Sequence, residues 1–400
     1  MISLKKGSKK PSTPISPPKS YFLTLLLSLC ILTISPVVLS GDTESGGGST
    51  SSGKSSENKS GVDSGENPTG TCGDQFNKLS YLSPVRLASG SFGTTFKVER
   101  SNSKKLALKV SECSESRHQT LWKYENKIYQ GLRDRWPGNE QYLRLIVKRD
   151  GDSFACKGSI ESWKDLSESD KNAVNCSNQC CTTAIEFVSG PRLTEYIKSQ
   201  PSGKMPLTSD EPKAWLFQIS FALFAAFVDT GFQHWDLKTD NIMTAPYPAN
   251  TATQCFSWRY QKKPFLKCFE TKLTNKSHIK LIDFDRSTLG RTETERVGGD
   301  THHARKDPDK LIEICEDLYD NQKCKAPEFI SLISELSSLA KLTPSSLNKS
   351  LSDKVFIDYA KGFHSLLNSS FFASLFKSES TCDSNCVKHE ITNQTWADNL

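Results

Sequence analysis

The sequence predicts an α+β fold in which strand patterns precede the main helix patterns. Three observations predict it. Short apolar runs flank a small-residue turn between Leu87 and Val98, and another apolar run follows at Leu106–Val110, as in a hairpin and a further strand. A long apolar helix pattern runs from Pro212 to Asp229. From Phe329 to Phe376, Leu, Ile and Phe recur at helical spacing between Ser/Thr-rich breaks.

The N-terminus reads as targeting sequence. Lys5, Lys6, Lys9, Lys10 and Lys19 lie in the first twenty residues without an acid, and they account for five of the formal +6, leaving +1 for the rest. A near-neutral body gives no argument for a nucleic-acid partner. Tyr21 to Leu39 is apolar and is followed by small residues at Ser40-Gly41. This is expected to be a cleaved signal peptide or a signal anchor, since spanning a bilayer takes about 20 apolar residues. Either puts the remainder in the secretory lumen or outside the cell, secreted or as a type II membrane protein. Membrane contact is expected only from an uncleaved anchor. Residues 41–71 hold almost no apolar side chain and read as a disordered Ser/Gly-rich linker.

Cysteine usage agrees with that compartment. Of thirteen cysteines, Cys30 lies inside the apolar leader, and the other twelve form an even set. Near neighbours suggest three local disulfides, Cys255 with Cys268, Cys315 with Cys324 and Cys382 with Cys386. Cys72, Cys113, Cys156, Cys176, Cys180 and Cys181 stay unassigned. Six Asn-x-Ser/Thr sequons, at Asn58, Asn175, Asn275, Asn348, Asn368 and Asn393, suit a glycosylated chain. No Cys-x-x-Cys pair supports zinc.

From Ala88 to Thr95 the chain reads Ala-Ser-Gly-Ser-Phe-Gly-Thr-Thr, where Gly90 and Gly93 would let backbone N–H groups approach phosphate oxygens. Lys109 sits mid-strand beside Ala107, and a buried lysine needs a partner. Leu121–Leu132 has apolar residues at helical spacing, with Glu125 at the edge of that face. Residues 147–181 are polar, Ser- and Cys-rich, and read as a loop insertion. Ala184–Pro191 then reads as a strand end. Gly231 stops the long helix.

The stretch His234-Trp235-Asp236-Leu237-Lys238-Thr239-Asp240-Asn241 aims a carboxylate, a cation and an amide at one point. Residues 245–277 form a second insertion, expected to be a surface decoration. His278–Asp285 is an alternating strand ending in Asp283-Phe284-Asp285. Residues 381–400 read as a loop-like tail.

In order and spacing these segments resemble the eukaryotic protein-kinase superfamily, and the helix around Glu125 resembles the casein-kinase-one family. The resemblance implies a bilobal protein-kinase-like fold. A small β-rich N-lobe would span 72–188 and a larger helical C-lobe 189–380. It also implies an ATP-dependent protein serine/threonine kinase. Ala88, Gly90, Ser91, Phe92, Gly93 and Thr95 would form the Gly-rich loop, with Ala88 where the first Gly usually stands. Ala107 and Lys109, with Glu125 orienting the lysine, would hold the α- and β-phosphates. Ile185 would be the gatekeeper, and the backbone of Glu186 and Val188 would bond adenine. Asp236 would accept from the substrate hydroxyl, and Lys238 would stabilise the moving phosphoryl group. Asn241 and Asp283 would hold Mg²⁺, with Mn²⁺ as an alternative. Trp235 replaces the usual Arg, which implies activity independent of activation-loop phosphorylation. Asp285 replaces the Gly of Asp-Phe-Gly.

Two places compete for the end of the activation segment. Ala326-Pro327-Glu328 spells one form, but Arg305–Leu311 keeps the spacing from Asp283 ordinary and is preferred. Asp307 would then tie the following helix to the catalytic loop. The expected partner is a protein substrate in the secretory pathway or outside the cell; the oligomeric state leaves no signal. Two alternatives stay open: a secreted pseudokinase serving as a binding module, and a kinase-fold enzyme that phosphorylates a glycan hydroxyl.

Overall fold

In the computed structural model the described residues are 71–90, 93–134, 145–172, 174, 176, 178–205, 210–290, 297–298, 305–319, 327–342, 352–376, 382 and 386–391. They form a mixed α+β structure. Helix α1 (Cys72–Lys78) leads into a five-stranded antiparallel sheet of β1 (Leu82–Gly90), β2 (Gly93–Glu99), β3 (Lys105–Glu112), β4 (Arg149–Lys157) and β5 (Gln179–Glu186), in the order β1-β2-β3-β5-β4. Helix α2 (Ser116–Asp134) connects β3 to the second half of the sheet. Alternation along β3 sends Leu106, Leu108 and Val110 into one core and leaves Ala107 and Lys109 on the opposite face.

That core is completed by α1 and residues 158–176, including the short helix α3 (Glu168–Lys171). Trp163 packs against Phe76 and Phe96 at ring distances of 4.5 and 5.4 Å, and its indole N–H donates to the Tyr81 carbonyl at 2.8 Å. The expectation of a loop insertion over 147–181 needs correcting. The stretch supplies β4 and opens β5, so its polar residues alternate across a sheet rather than run through solvent. Three disulfides staple it: Cys72–Cys156, Cys113–Cys181 and Cys176–Cys180.

The second core surrounds α5 (Glu211–Thr230), which follows α4 (Leu193–Ser199). Every residue from Ala214 to Thr230 is buried, as a helix apolar on all sides requires. Gly231 ends it in the left-handed region, with φ 72°. Strands β6 (Ile242–Pro246) and β9 (Ser277–Leu281) pair antiparallel as a separate two-stranded sheet. Between them β7 (Thr253–Tyr260) and β8 (Lys263–Glu270) form a hairpin. Short strands β10 (Thr288–Leu289) and β11 (Val297–Gly298) follow, then α6 (Asp307–Leu318), α7 (Pro327–Leu342) and α8 (Asp353–Leu367). Strand β12 (Cys386–Glu390) runs parallel to β7.

The β7–β8 hairpin is not the expected surface decoration. Phe256, Trp258 and Phe269 are buried against α5, with Phe256 4.9 Å from Phe221 and 5.1 Å from Phe217. Nor is the tail wholly loop-like, because β12 completes a three-stranded sheet with the hairpin. Cys255–Cys268 and Cys382–Cys386 are disulfides, as their spacing suggests. The third expected pair involves Cys324, which lies outside the described residues. Five disulfides are consistent with a protein outside the cytosol. Among the described residues no helix is long and apolar enough to cross a membrane.

Candidate functional site

The loop after α5 is held from three sides. The Asp307 carboxylate, at the start of α6, accepts from the backbone N–H groups of His234 and Trp235, each at 2.8 Å. His234 Nε2 donates to the carbonyl of Ile282 at 3.0 Å. Trp235 is buried with φ 62° and donates its indole N–H to Thr288 Oγ1 at 2.9 Å. A bulky residue in the left-handed region persists only where its surroundings over-determine it. Burial pushes the Asp307 carboxyl up, against the pull of His234 and the two amides.

Asp236 therefore projects from a fixed backbone. Its Oδ2 accepts from Lys238 Nζ at 2.8 Å and from Asn241 Nδ2 at 3.1 Å. Asn241 Nδ2 also donates to the Asp236 carbonyl at 2.9 Å, which orients the amide. Arg286 Nη1 lies 3.8 Å from Asp236 Oδ1, a neighbour that no sequence signal flagged. The loop meets the strand that carries Asp283 through a backbone bond from Ile282 N to Asn241 O at 3.0 Å.

Lys109, Glu125 and Asp283 come together from three distant segments. Lys109 Nζ lies 3.2 Å from both Glu125 oxygens and 3.0 Å from Asp283 Oδ1. Burial opposes charge on the lysine, but the Asp283 and Glu125 carboxylates outweigh it and hold the ammonium well above its ordinary value. Burial raises Glu125 despite Lys109. For Asp283 burial acts upward, but Lys109 prevails and lowers the carboxyl. Asp283 also has positive φ, 66°. Phe284 packs between Tyr129 of α2 and His234, at ring distances of 5.0 and 5.6 Å, and so joins the sheet half to the loop.

Asp285 is 8 % exposed, and its buried Oδ1 has no hydrogen-bond partner among the described residues. Burial, then the negative charge of Asp283, pushes its carboxyl up to about 7.

At the end of β5, Ile185 pairs with Ala107 across the sheet, and Val188 is buried. Glu186 N donates to the Lys148 carbonyl at 2.9 Å, and its Oε1 accepts from the buried Lys280 Nζ at 2.6 Å. Lys280 was open to the same reasoning as Lys109, since it too is a lysine mid-strand. In the β1–β2 hairpin Ala88 faces Thr95 and Gly90 faces Gly93. Gly93 has φ 131°, and a Cβ there would meet the Val110 carbonyl at 2.4 Å. Ser91 and Phe92 lie outside the described residues.

The chain matches no family model and no curated protein. Its chemistry rests on the residues themselves. A cation braced by two carboxylates stands near a second cluster of carboxylate, lysine and amide. The two clusters are joined by one strand end. Such a site can hold a polyphosphate with divalent cations at one side and a hydroxyl at the other. Arg305–Leu311 leads into α6, which buries one face through Leu311, Ile314, Cys315 and Leu318, and Pro327 and Glu328 open α7.

Proposed function

We propose that the chain is a lumenal or secreted kinase that transfers the γ-phosphoryl group of ATP to Ser or Thr hydroxyls, on a bilobal protein-kinase-like fold. The observation that carries this is Lys109 braced by Glu125 and Asp283, residues 16 and 174 positions away in sequence. A half-buried lysine held charged between two carboxylates is an arrangement suited to phosphate oxygens.

In this reading Lys109 binds the α- and β-phosphates and Glu125 keeps it in place. Asp236 accepts from the acceptor hydroxyl, its carboxylate aimed by Asn241. Lys238 is 45 % exposed at its side chain and can reach the transferring group from its bond to Asp236. Asn241 and Asp283 fit a divalent cation. They offer an amide oxygen and a carboxylate, the hard oxygen donors that Mg²⁺ and Mn²⁺ take, and the unpartnered Asp285 Oδ1 belongs to the same acidic cluster. When bound, such a cation neutralises charge on the phosphate oxygens. The neutral Trp235–Thr288 bond fastens the segment after Asp283 without a phosphate, which supports activity independent of activation-segment phosphorylation.

The test is transfer of labelled γ-phosphate from ATP to the chain itself and to an acidic Ser-rich protein, with Asp236→Ala and Asp283→Ala in parallel. Transfer lost in both variants supports the reading. A folded, ATP-binding wild type that transfers nothing moves it to a binding module, or to a glycan acceptor that adding oligosaccharides would reveal.

A further inference from the structure

Asp285 is the residue whose surroundings the reading above leaves unexplained. A turn closed by Ser287 N donating to Phe284 O at 3.1 Å places it directly after the Asp283–Phe284 pair. It is more than nine-tenths buried, yet Oδ1 meets no donor among the described residues. The charged groups acting on it are Asp283, Lys109, Glu125 and Arg286.

The cations nearby are committed elsewhere. Lys109 is shared between Glu125 and Asp283. Arg286 and Lys238 both turn to Asp236. Three buried or half-buried carboxylates, Glu125, Asp283 and Asp285, thus share one close ammonium. A buried carboxylate without a partner is costly unless it is paired or coordinates a metal. Asp283 lies two residues before Asp285, and only its Oδ1 is bonded to Lys109, which leaves Oδ2 able to take a further ligand. Its side chain is 35 % exposed, so a cation can arrive from solvent.

We infer that Asp285 and Asp283 together form a divalent-cation site that fills before any nucleotide is bound. The inference rests on the reading of Asp283 as a cation ligand, and it adds Asp285 as a second carboxylate ligand. Hard cations prefer oxygen donors, and a second carboxylate raises affinity through both charge and ligand count. Occupancy without nucleotide separates this site from one completed only by phosphate oxygens.

The experiment is a Mn²⁺ titration of the full chain, produced through a secretory host, followed by the electron paramagnetic resonance signal of free Mn²⁺. Wild type, Asp285→Asn, Asp285→Gly, Asp283→Asn and Glu168→Gln are compared without nucleotide. Thermal melting shows which variants are folded, and the Asn and Gly forms of residue 285 guard against the loss of one. The expected result is one Mn²⁺ per wild-type chain. Binding should be at least about ten-fold weaker for either residue 285 variant and for Asp283→Asn, and unchanged for Glu168→Gln, an exposed residue of α3 outside the site. Equal Mn²⁺ binding by wild type and folded residue 285 variants would overturn the inference, as would no binding to the wild type. Separate ATP titrations keep the two readings apart. Mn²⁺ bound through Asp285 with no ATP binding would sustain the cation site and remove the kinase. ATP binding with unaltered Mn²⁺ affinity in the variants would do the reverse.

Discussion

Replacing Asp307 should loosen the whole loop from His234 to Asn241. The Asp307 carboxylate is 4 % exposed and is the acceptor for two backbone N–H groups at 2.8 Å. Asp307→Ala leaves both donors buried without a partner, at about 1–3 kcal/mol each. Part of that is offset, because burial disfavours the carboxylate itself and pushes its proton affinity up. A net loss of about 2–4 kcal/mol results, and about half of that for Asp307→Asn, which keeps one acceptor oxygen. Urea unfolding with the disulfides oxidised measures it. With a slope of roughly 3 kcal/mol per M, the Ala variant should unfold about 1 M earlier. An Asp307→Ala protein with wild-type midpoint and slope would refute the claim that these two bonds hold the loop.

Three further outcomes follow from the geometry. Removing Cys72–Cys156, with a sequence separation of 84, should cost about 4–5 kcal/mol by chain entropy, against about 2 kcal/mol for Cys176–Cys180 with a separation of 4. Urea midpoints of the paired serine variants test that ranking. Asp285 has its folded pKa raised to about 7 from an ordinary 3.8, so the fold binds this proton more tightly than the unfolded chain. Its stabilising share is therefore complete below pH 3.8 and is lost as pH rises towards about 7. Relative to Asp285→Asn, the metal-free wild type should lose on the order of 4 kcal/mol across that window and then level off, as pH-dependent urea unfolding would show. Under the proposed kinase reading, Lys280→Met strips a partner from Glu186, so the apparent affinity for ATP should fall several-fold with little change in the saturated rate, as measured by separate kcat and KM values.

Much of this arrangement was legible because it is local. The stretch from His234 to Asn241 carries its chemistry within eight residues, and Asp236 bonds its sequence neighbours Lys238 and Asn241, although the bonds that anchor the stretch to Ile282, Thr288 and Asp307 are long-range. Lys109 was legible for a different reason, since a lysine inside an apolar strand demands a partner. Applied to Lys280, the same argument would have found the pair with Glu186 at 2.6 Å. What sequence could not supply was long-range. Arg286 approaches Asp236 only because the turn after Phe284 folds back to the loop. The pairing of Cys72 with Cys156 and of Cys113 with Cys181 depends on where α1 and β5 lie against the sheet. The hairpin over residues 253–270 misled because its polar residues obscure alternation. Its buried aromatic faces find α5, and β12 returns from the far end of the chain to complete the sheet.

The measurement that bears most directly on the kinase reading is a mass balance on one sample. The protein, produced through a secretory host, is incubated with ATP and Mg²⁺ or Mn²⁺ and a secreted acidic acceptor. ADP released is then compared with phosphate found on Ser or Thr by mass spectrometry. The expected result is one phosphorylated hydroxyl per ADP, with both products lost together in Asp236→Asn. ADP without phosphorylated hydroxyl, or transfer that survives in Asp236→Asn, would contradict it.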